Sequence, residues 1–298
     1  MKKNTTYYLI FSLVSMVSFG QEMFTTTNQG DLVSLEYGNY LDLNDIQFEN
    51  KSVAIDFTSL FNEPIIGFGV AYTNNKLDFE DYDRFHDYST FEELHNVEVF
   101  VRYKKALFNN WTMDLVLAPY LSSTLNEKIS REDFTLSYAA NFTKVWSKEG
   151  LKSSLKLGAG YGTLLGKPNF YPLISYSSAV NENFRYKIGF PVTGVFYKLN
   201  EQSGLDFTAK PKSIYVNNAS DFNLIDESYN DSKLEFKALK LAIDYKFQFD
   251  KNWSSNFGVG YLTASELTIS ENENTIYDFE ANNSLSLNIG ISLNINNK

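Results

Sequence analysis

The stretch LKLAIDYKFQFDKNWSSNFGVGYL, residues 239–262, decides the fold. Leu239, Leu241, Ile243, Tyr245, Phe247 and Phe249 alternate with Lys240, Ala242, Asp244, Lys246 and Gln248. A period of two places the two sets on opposite faces of a strand. Asp250-Lys251-Asn252 is a short polar turn. The chain returns with Trp253, Ser255, Phe257, Val259 and Tyr261 on one face and Ser254, Asn256, Gly258 and Gly260 on the other. This is a β-hairpin with one aromatic, apolar face and one face of polar and small residues.

The same pattern recurs outward in both directions. Val33, Leu35 and Tyr37 alternate with Ser34, Glu36 and Gly38, and a second strand runs from Ser52 to Leu60. Ile66, Phe68, Val70 and Tyr72 alternate with Gly67, Gly69, Ala71 and Thr73. Further strands are expected near 97–104, 111–118, 134–146, 151–162, 170–180, 184–190, 195–199 and 205–216. The last sets Leu285, Leu287, Ile289, Ile291, Leu293 and Ile295 against Ser286, Asn288, Gly290, Ser292 and Asn294. Short turns at Asn109-Asn110, 147–150, 181–183 and 200–204 alternate with longer polar stretches at 74–96, 126–133, 217–233 and 264–283, and a tight turn is expected at 191–194. Short turns at one end and long loops at the other are the pattern of an outer-membrane barrel, apolar side outward. The expected fold is an all-β, transmembrane, antiparallel up-and-down β-barrel of about 14 strands, or 12 if 195–216 belongs to one large loop.

Composition agrees. No mature segment is continuously apolar over the ~20 residues a membrane helix needs, yet the chain of 298 residues holds 25 Phe, 20 Tyr and 3 Trp. Half of each barrel strand faces a polar interior, which keeps mean hydropathy low. Residues 1–20 read as a cleaved secretory signal. Lys2 and Lys3 precede an apolar run from Tyr7 to Phe19, with Ser18 and Gly20 before a cut at Gln21. Residues 21–298 then form a single barrel domain. The chain has no cysteine, which excludes disulfides, thiol chemistry and a lipoprotein anchor. Net charge is −10, and loss of the signal's two lysines takes it to −12. So acidic a chain makes a poor nucleic-acid binder.

Trp111 follows one short turn, Trp146 precedes another and Trp253 follows a third. All three therefore fall at one end of the barrel, as a membrane-interface belt.

With Gly189-Phe190-Pro191, Tyr197-Lys198-Leu199-Asn200 and Gly258-Val259-Gly260-Tyr261 in view, the mature chain resembles the uncharacterised outer-membrane β-barrel proteins of Bacteroidota-type Gram-negative bacteria, grouped as a domain of unknown function. The resemblance implies a barrel in the cell outer membrane. It brings no activity, cofactor or functional residue. Outer-membrane lipid and the outer-membrane assembly machinery are the partners such a barrel implies.

No catalytic or metal constellation stands out. The two histidines, His86 and His95, lie in or beside the first long loop, with Ser89 near in sequence and no oriented triad evident. Loop acids such as Asp78, Glu80, Asp81, Asp83 and Asp87, then Asp221, Asp226, Glu227 and Asp231, offer oxygen ligands for calcium without EF-hand spacing. No cofactor is expected. The leading functional expectation is a pore or transporter for small solutes. The alternative is a non-transport barrel that displays acidic loops, and a lipid-modifying enzyme is the third reading. With the polar faces inward, the lumen-lining candidates are Arg102, Lys104, Asp114, Lys156, Arg185, Lys187, Lys240, Asp244 and Lys246. Their basic excess predicts a preference for anions, because like-signed side chains set pore selectivity.

Overall fold

The computed structural model describes residues 31–61, 65–82, 86–224 and 227–295. The expected signal at 1–20 lies outside the described residues, as do Asp83 and Asp226.

Alternation becomes a ladder of antiparallel neighbours. The wall strands are β1 (Asp31–Leu41), β2 (Gln47–Asp56), β3 (Ile66–Asp78), β4 (Glu93–Ala106), β5 (Trp111–Ser123), β6 (Phe134–Lys148) and β7 (Leu151–Gly162). They continue as β8 (Asn169–Ala179), β9 (Phe184–Phe190), β10 (Thr193–Lys198) and β11 (Ser203–Asn217). Two short strands, β12 (Phe222–Leu224) and β13 (Glu227–Tyr229), form a separate hairpin. The wall resumes with β14 (Lys233–Gln248) and β15 (Trp253–Glu271), passes a short β16 (Asn274–Asp278) and ends with β17 (Ser284–Asn294). Each wall strand pairs with its sequence neighbour in the wall, β1 pairs with β17, and β14–β15 pairing completes the ring. The sheet is thus a closed barrel of 14 strands. Closure gives every wall strand a neighbour on both sides over at least part of its length. The 12-strand alternative is excluded, because β10 and β11 pair within the wall.

Turn chemistry sets one end. Asn109 (φ 56°) and Asn110 (φ 60°) both take the left-handed conformation, as do Glu149 (φ 54°) and Gly150 (φ 82°). Two consecutive positive φ values make the type I′ turn, whose twist matches a β-hairpin. Asp250 caps its turn by accepting from the amides of Asn252 (2.7 Å) and Trp253 (2.9 Å). Those two hydrogen bonds hold its carboxyl below the usual carboxylate range. Trp111, Trp146 and Trp253 all sit at this turn end. Lys144 Nζ lies 5.7 Å from the Trp111 ring, and Trp146 is 6.1 Å from Tyr176.

The outward face is apolar along the wall. Ile188 is 61% exposed, and Val259, Leu285 and Ile174 are more than half exposed. Over so many strands this exceeds what a soluble monomer leaves uncovered.

The loop end differs from the sequence expectation. The loop expected at 74–96 shortens to 79–92, and the one at 264–283 loses residues 264–271 to β15. The strand expected from Ser52 to Leu60 is β2 followed by a 3₁₀ turn at Phe57–Leu60, and the 191–194 turn narrows to two residues because Thr193 opens β10. One physical cause covers the longer strands: the alternation inverts. On β14 the inward series Lys240, Asp244, Lys246 becomes Leu234, Phe236, Ala238 toward the loop end. Phe48 on β2, Leu77 on β3, Ile214 and Val216 on β11, and Leu262 on β15 do the same. Together with loop residues Leu43, Ile46, Phe79, Tyr88, Phe91, Phe222 and Phe279 they form one buried apolar cluster. Tyr40 stacks on Phe48 (4.4 Å), and Phe91 meets Phe222 edge-on (5.2 Å). This is a packed cap across the loop end.

The ring also narrows there. β9 has 7 residues and β10 has 6, so they stop below the rim. Beyond β10, the residues from Lys210 to Asn217 on β11 keep only β14 as a neighbour, until Asn217 pairs in parallel with Ser123 on β5. The Thr124 amide donates to the Asn217 carbonyl (3.0 Å), and Ser122 Oγ donates to the Tyr215 carbonyl (2.6 Å). β11 therefore leaves the wall and crosses the mouth. Pro211 on β11 and Pro172 on β8 fall where each strand has lost one neighbour, the position a sheet tolerates for proline.

Candidate functional site: the lumen

The chemistry of the described residues concentrates inside the barrel. On the β4–β5 side, Arg102 Nε donates to Asp114 Oδ1 (2.8 Å), and its Nη2 donates to Asp114 Oδ2. Both residues are buried, so this is a bidentate pair removed from water. Lys104 faces Asp114 across the same ladder. Lys156 on β7 is 8% exposed and Lys187 on β9 is 6% exposed, values rare for lysine unless partnered. Lys156 lies within electrostatic reach of Lys187, Asp114, Arg102 and Lys104. Arg185 lays its guanidinium 4.1 Å over the Phe196 ring.

Above this basic group lies an apolar layer of Phe100, Val116, Ala118, Ala139, Tyr171 and Leu173. Glycines make room for its rings. A Cβ at Gly69 would overlap Phe100, and one at Gly160 would overlap Tyr171.

The opposite wall carries the second polar group. Lys240 Nζ donates to Asn288 Oδ1 (3.0 Å) and stands 5.4 Å from the Tyr40 ring. Lys246 pairs with Asp206 at 2.7 Å, and Asp244 lies on the same inward row of β14. Sequence reading did not single out Lys210, Lys212, Asp206 or Tyr40 as lumen residues. Lys212 Nζ stands 5.5 Å from the Tyr40 ring and 5.9 Å from Phe48, beneath the cap. The signal for the three β11 residues was the period-two run Asp206, Thr208, Lys210, Lys212, and Tyr40 continues the series Ser34, Glu36, Gly38 on β1. It was masked because the opposite set, Ala209, Pro211 and Ser213, carries no large apolar side chain where β11 leaves the wall.

A cavity of about 360 Å³ lies here, touching Lys210 and Lys212 on one face of β11 and Pro211 and Ser213 on the other. It reaches Tyr40, Lys240 and Asn288 on one side and Tyr120 and Tyr171 on the other.

The mouth is tied by one carboxylate. Asp133 Oδ1 accepts from Asn217 Nδ2 (2.9 Å), and Asp133 Oδ2 accepts from the Ser130 amide (2.6 Å) in a capping box. Burial alone would raise its pKa, but the hydrogen bonds from Ser123, Asn217 and Ser130 outweigh it and hold the carboxyl below its ordinary value.

The loop candidates resolve differently. His95 is on β4, with its ring nitrogen 2.9 Å from the Tyr72 hydroxyl and 3.5 Å from Asn74 Nδ2, while Ser89 opens a 3₁₀ turn. These partners of His95 do not include a serine. Among the described residues no three His, Asp or Glu side chains gather as a metal site.

Residues 52–298 match the family described as "Domain of unknown function (DUF6268)", and the chain belongs to that family. No curated protein matches its sequence. Solved structures similar to it include the NanC porin, 11% identical, covering 88% of this chain and 100% of that one at a TM-score of 0.43. Outer membrane phospholipase A from Escherichia coli is 12% identical over 89% of this chain and 92% of that one, at 0.35. The translocator domain of autotransporter NalP from Neisseria meningitidis is 7% identical over 91% of each, at 0.37.

Proposed function

We propose that this family member is an outer-membrane barrel that holds small solutes in a basic lumen and passes them only when its outer cap opens. The apolar outward wall suits hydrocarbon, and a closed barrel is one of the two ways a chain satisfies its backbone there. The turn end, with its three tryptophans, is then periplasmic, and the loop end faces outside. The observation that carries the reading is the contrast along the axis. The loop end is a packed apolar cap, and the lumen beneath it is lined with Arg102, Lys156, Lys187, Lys210, Lys212 and Lys240. A permanently open pore has no use for a dry seal. A barrel that only displays loops has no use for this many basic side chains on its inner wall, with Lys156, Lys187 and Lys240 buried there at the cost of their hydration.

The test is ion conductance in planar bilayers. The full chain is expected to conduct rarely and briefly. Replacing the β12–β13 hairpin, which supplies Phe222 and Leu224 to the cap, with a Gly/Ser linker should produce sustained, anion-preferring current. Silence from the hairpin-replaced barrel, with its fold intact, favours the display reading instead.

A further inference from the structure

We infer that the wall has a lateral window between β8 and β11, open to the outer leaflet, and that a single-chain amphiphile binds through it, its hydrocarbon chain in the bilayer and its compact polar head in the lumen. The inference rests on the bilayer placement proposed above and goes beyond it, because this route does not pass the cap.

Strand pairing leaves the gap. β9 and β10 reach only to Phe190 and Thr193. Past them, among the described residues, 169–173 of β8 pair with β7 alone and 210–216 of β11 pair with β14 alone. The β9–β10 turn closes the gap below. A Cβ on Gly166 would lie 3.1 Å from Lys237 on β14, so the β7–β8 loop closes it above.

The edges of the gap suit hydrocarbon and not an added strand. The Val180 amide donates to the Phe184 carbonyl, so even-numbered residues of β8 turn their peptide groups toward β9 and, higher up, into the gap. Pro172 is one of them, and the amide of another, Phe170, donates to Asn169 Oδ1 at 2.8 Å. On β11 the Tyr215 and Asn217 carbonyls accept from Ser122 and Thr124, so odd-numbered residues turn toward the gap, and Pro211 is one of them. A strand inserted here would need the amides that both prolines lack. Lipid penalises every unpaired amide, and proline has none to leave unpaired.

Two spaces meet at this edge. Outside, where β11 begins to leave the wall, the lipid face carries a hollow of about 870 Å³ lined by Ile188, Val195, Phe207, Leu241, Ile243 and Val259. It runs up to Thr208 and to Ala209, the last β11 residue paired with β10. Inside, the cavity of about 360 Å³ also borders Thr208 and passes around the free edge of β11, touching Lys212 on one face and Pro211 and Ser213 on the other. Its lining includes the amides of Asn50, Asn75 and Asn288. Thr208 Oγ1 is buried and makes no hydrogen bond among the described residues, which leaves a hydroxyl at the threshold for a polar head. The inner space is at the small end of ligand sites, which suits a compact head.

The depth also fits. Tyr138 and Tyr161 stack at 5.3 Å, and Phe170 meets Tyr161 edge-on at 5.0 Å. An aromatic group on the outward face marks the headgroup level. Pro172 lies two residues from Phe170 toward the turn end, so the window opens just below that level.

Photolabelling of the full barrel in lipid nanodiscs tests the site. Two fatty acids serve as probes, one with a diazirine beside the carboxylate and one with it at the chain end. The first should label residues 208–215 of β11 and the second Phe207, Leu241 or Val259, and excess palmitate should remove both signals. Ala209→Trp fills the threshold from the lipid side and keeps the ladder, so the barrel should retain its unboiled gel mobility. In that variant head-end labelling of β11 should fall by about tenfold. Chain-end labelling of Val99 and Leu117, exposed on the outward faces of β4 and β5, should not change. A neutral monoacylglycerol as competitor identifies the head: competition equal to palmitate assigns it to hydrogen bonding, weaker competition to the cavity's lysines, and either supports the site. Head-end labelling spread evenly around the wall, or not removed by palmitate, would overturn it. Absence of labelling at Val99 and Leu117 would instead remove the bilayer placement on which the window rests.

Discussion

Phe91→Ala measures what holds the cap shut. Phe91 belongs to the β3–β4 loop, is fully buried and meets Phe222 edge-on at 5.2 Å. Truncating a buried phenylalanine to alanine costs about 3–5 kcal/mol. The strand ladders below the cap make no use of this ring, so the loss should appear as local opening of the cap and not as unfolding of the barrel. At 1.4 kcal/mol per tenfold, the open population should rise by about two to three and a half powers of ten. Hydrogen exchange reads this directly. The Leu77 amide, bonded to the Glu92 carbonyl at 2.9 Å, and the Phe91 amide, bonded to the Tyr88 carbonyl at 2.8 Å, should exchange faster by that factor. Amides of the β7–β8 ladder should not change. A uniform acceleration across all strands, or none in the loop, would refute a cap that opens independently of the wall.

Three further outcomes follow from the same geometry. Asp114→Ala leaves the Arg102 guanidinium buried without its bidentate partner, and should lower stability by about 3–5 kcal/mol in denaturant titrations, an effect reduced when Arg102→Met is added. The tie at the mouth is pH-dependent through Asp133, whose folded pKa lies below its ordinary value. Its contribution is complete above the ordinary carboxylate pKa of about 3.9 and is lost as pH falls through the lower folded value, so exchange protection near Asn217, taken relative to the unfolded chain at the same pH, should fall on acidification and do so less in Asp133→Asn. Cysteines at Ser89 and Ser228 should label in intact cells with a membrane-impermeant reagent, and one at Asn252 should not; the opposite pattern would invert the orientation.

The architecture was legible because barrel strands repeat a single rule. Residues 239–262 show it completely, and the Asn109-Asn110 and Glu149-Gly150 pairs announce their turns. What stayed hidden was the cap. Leu234, Phe236 and Ala238 share the inward parity of Lys240 and Asp244, so one strand carries both an apolar and a polar inner segment. A reading that fixes the apolar side as outward assigns such segments to loops. The β11 lysines were obscured by the same assumption. Lys210 and Lys212 alternate with Ala209, Pro211 and Ser213, and no large apolar side chain marks an outward face there, because β11 is crossing the mouth. The contact between Asn217 and Ser123 joins residues 94 positions apart on strands that are not ladder neighbours elsewhere, and no local pattern encodes it.

A barrel that spans a bilayer holds its turn end at one membrane interface. The chain's three tryptophans, Trp111, Trp146 and Trp253, all lie at that end and serve as native depth probes. Their fluorescence should be measured in vesicles of lipids brominated at successive acyl positions. Strong quenching is expected, greatest for bromines nearest the headgroup and falling toward the bilayer centre. Emission indifferent to bromination, with the protein recovered outside the vesicles, would contradict it.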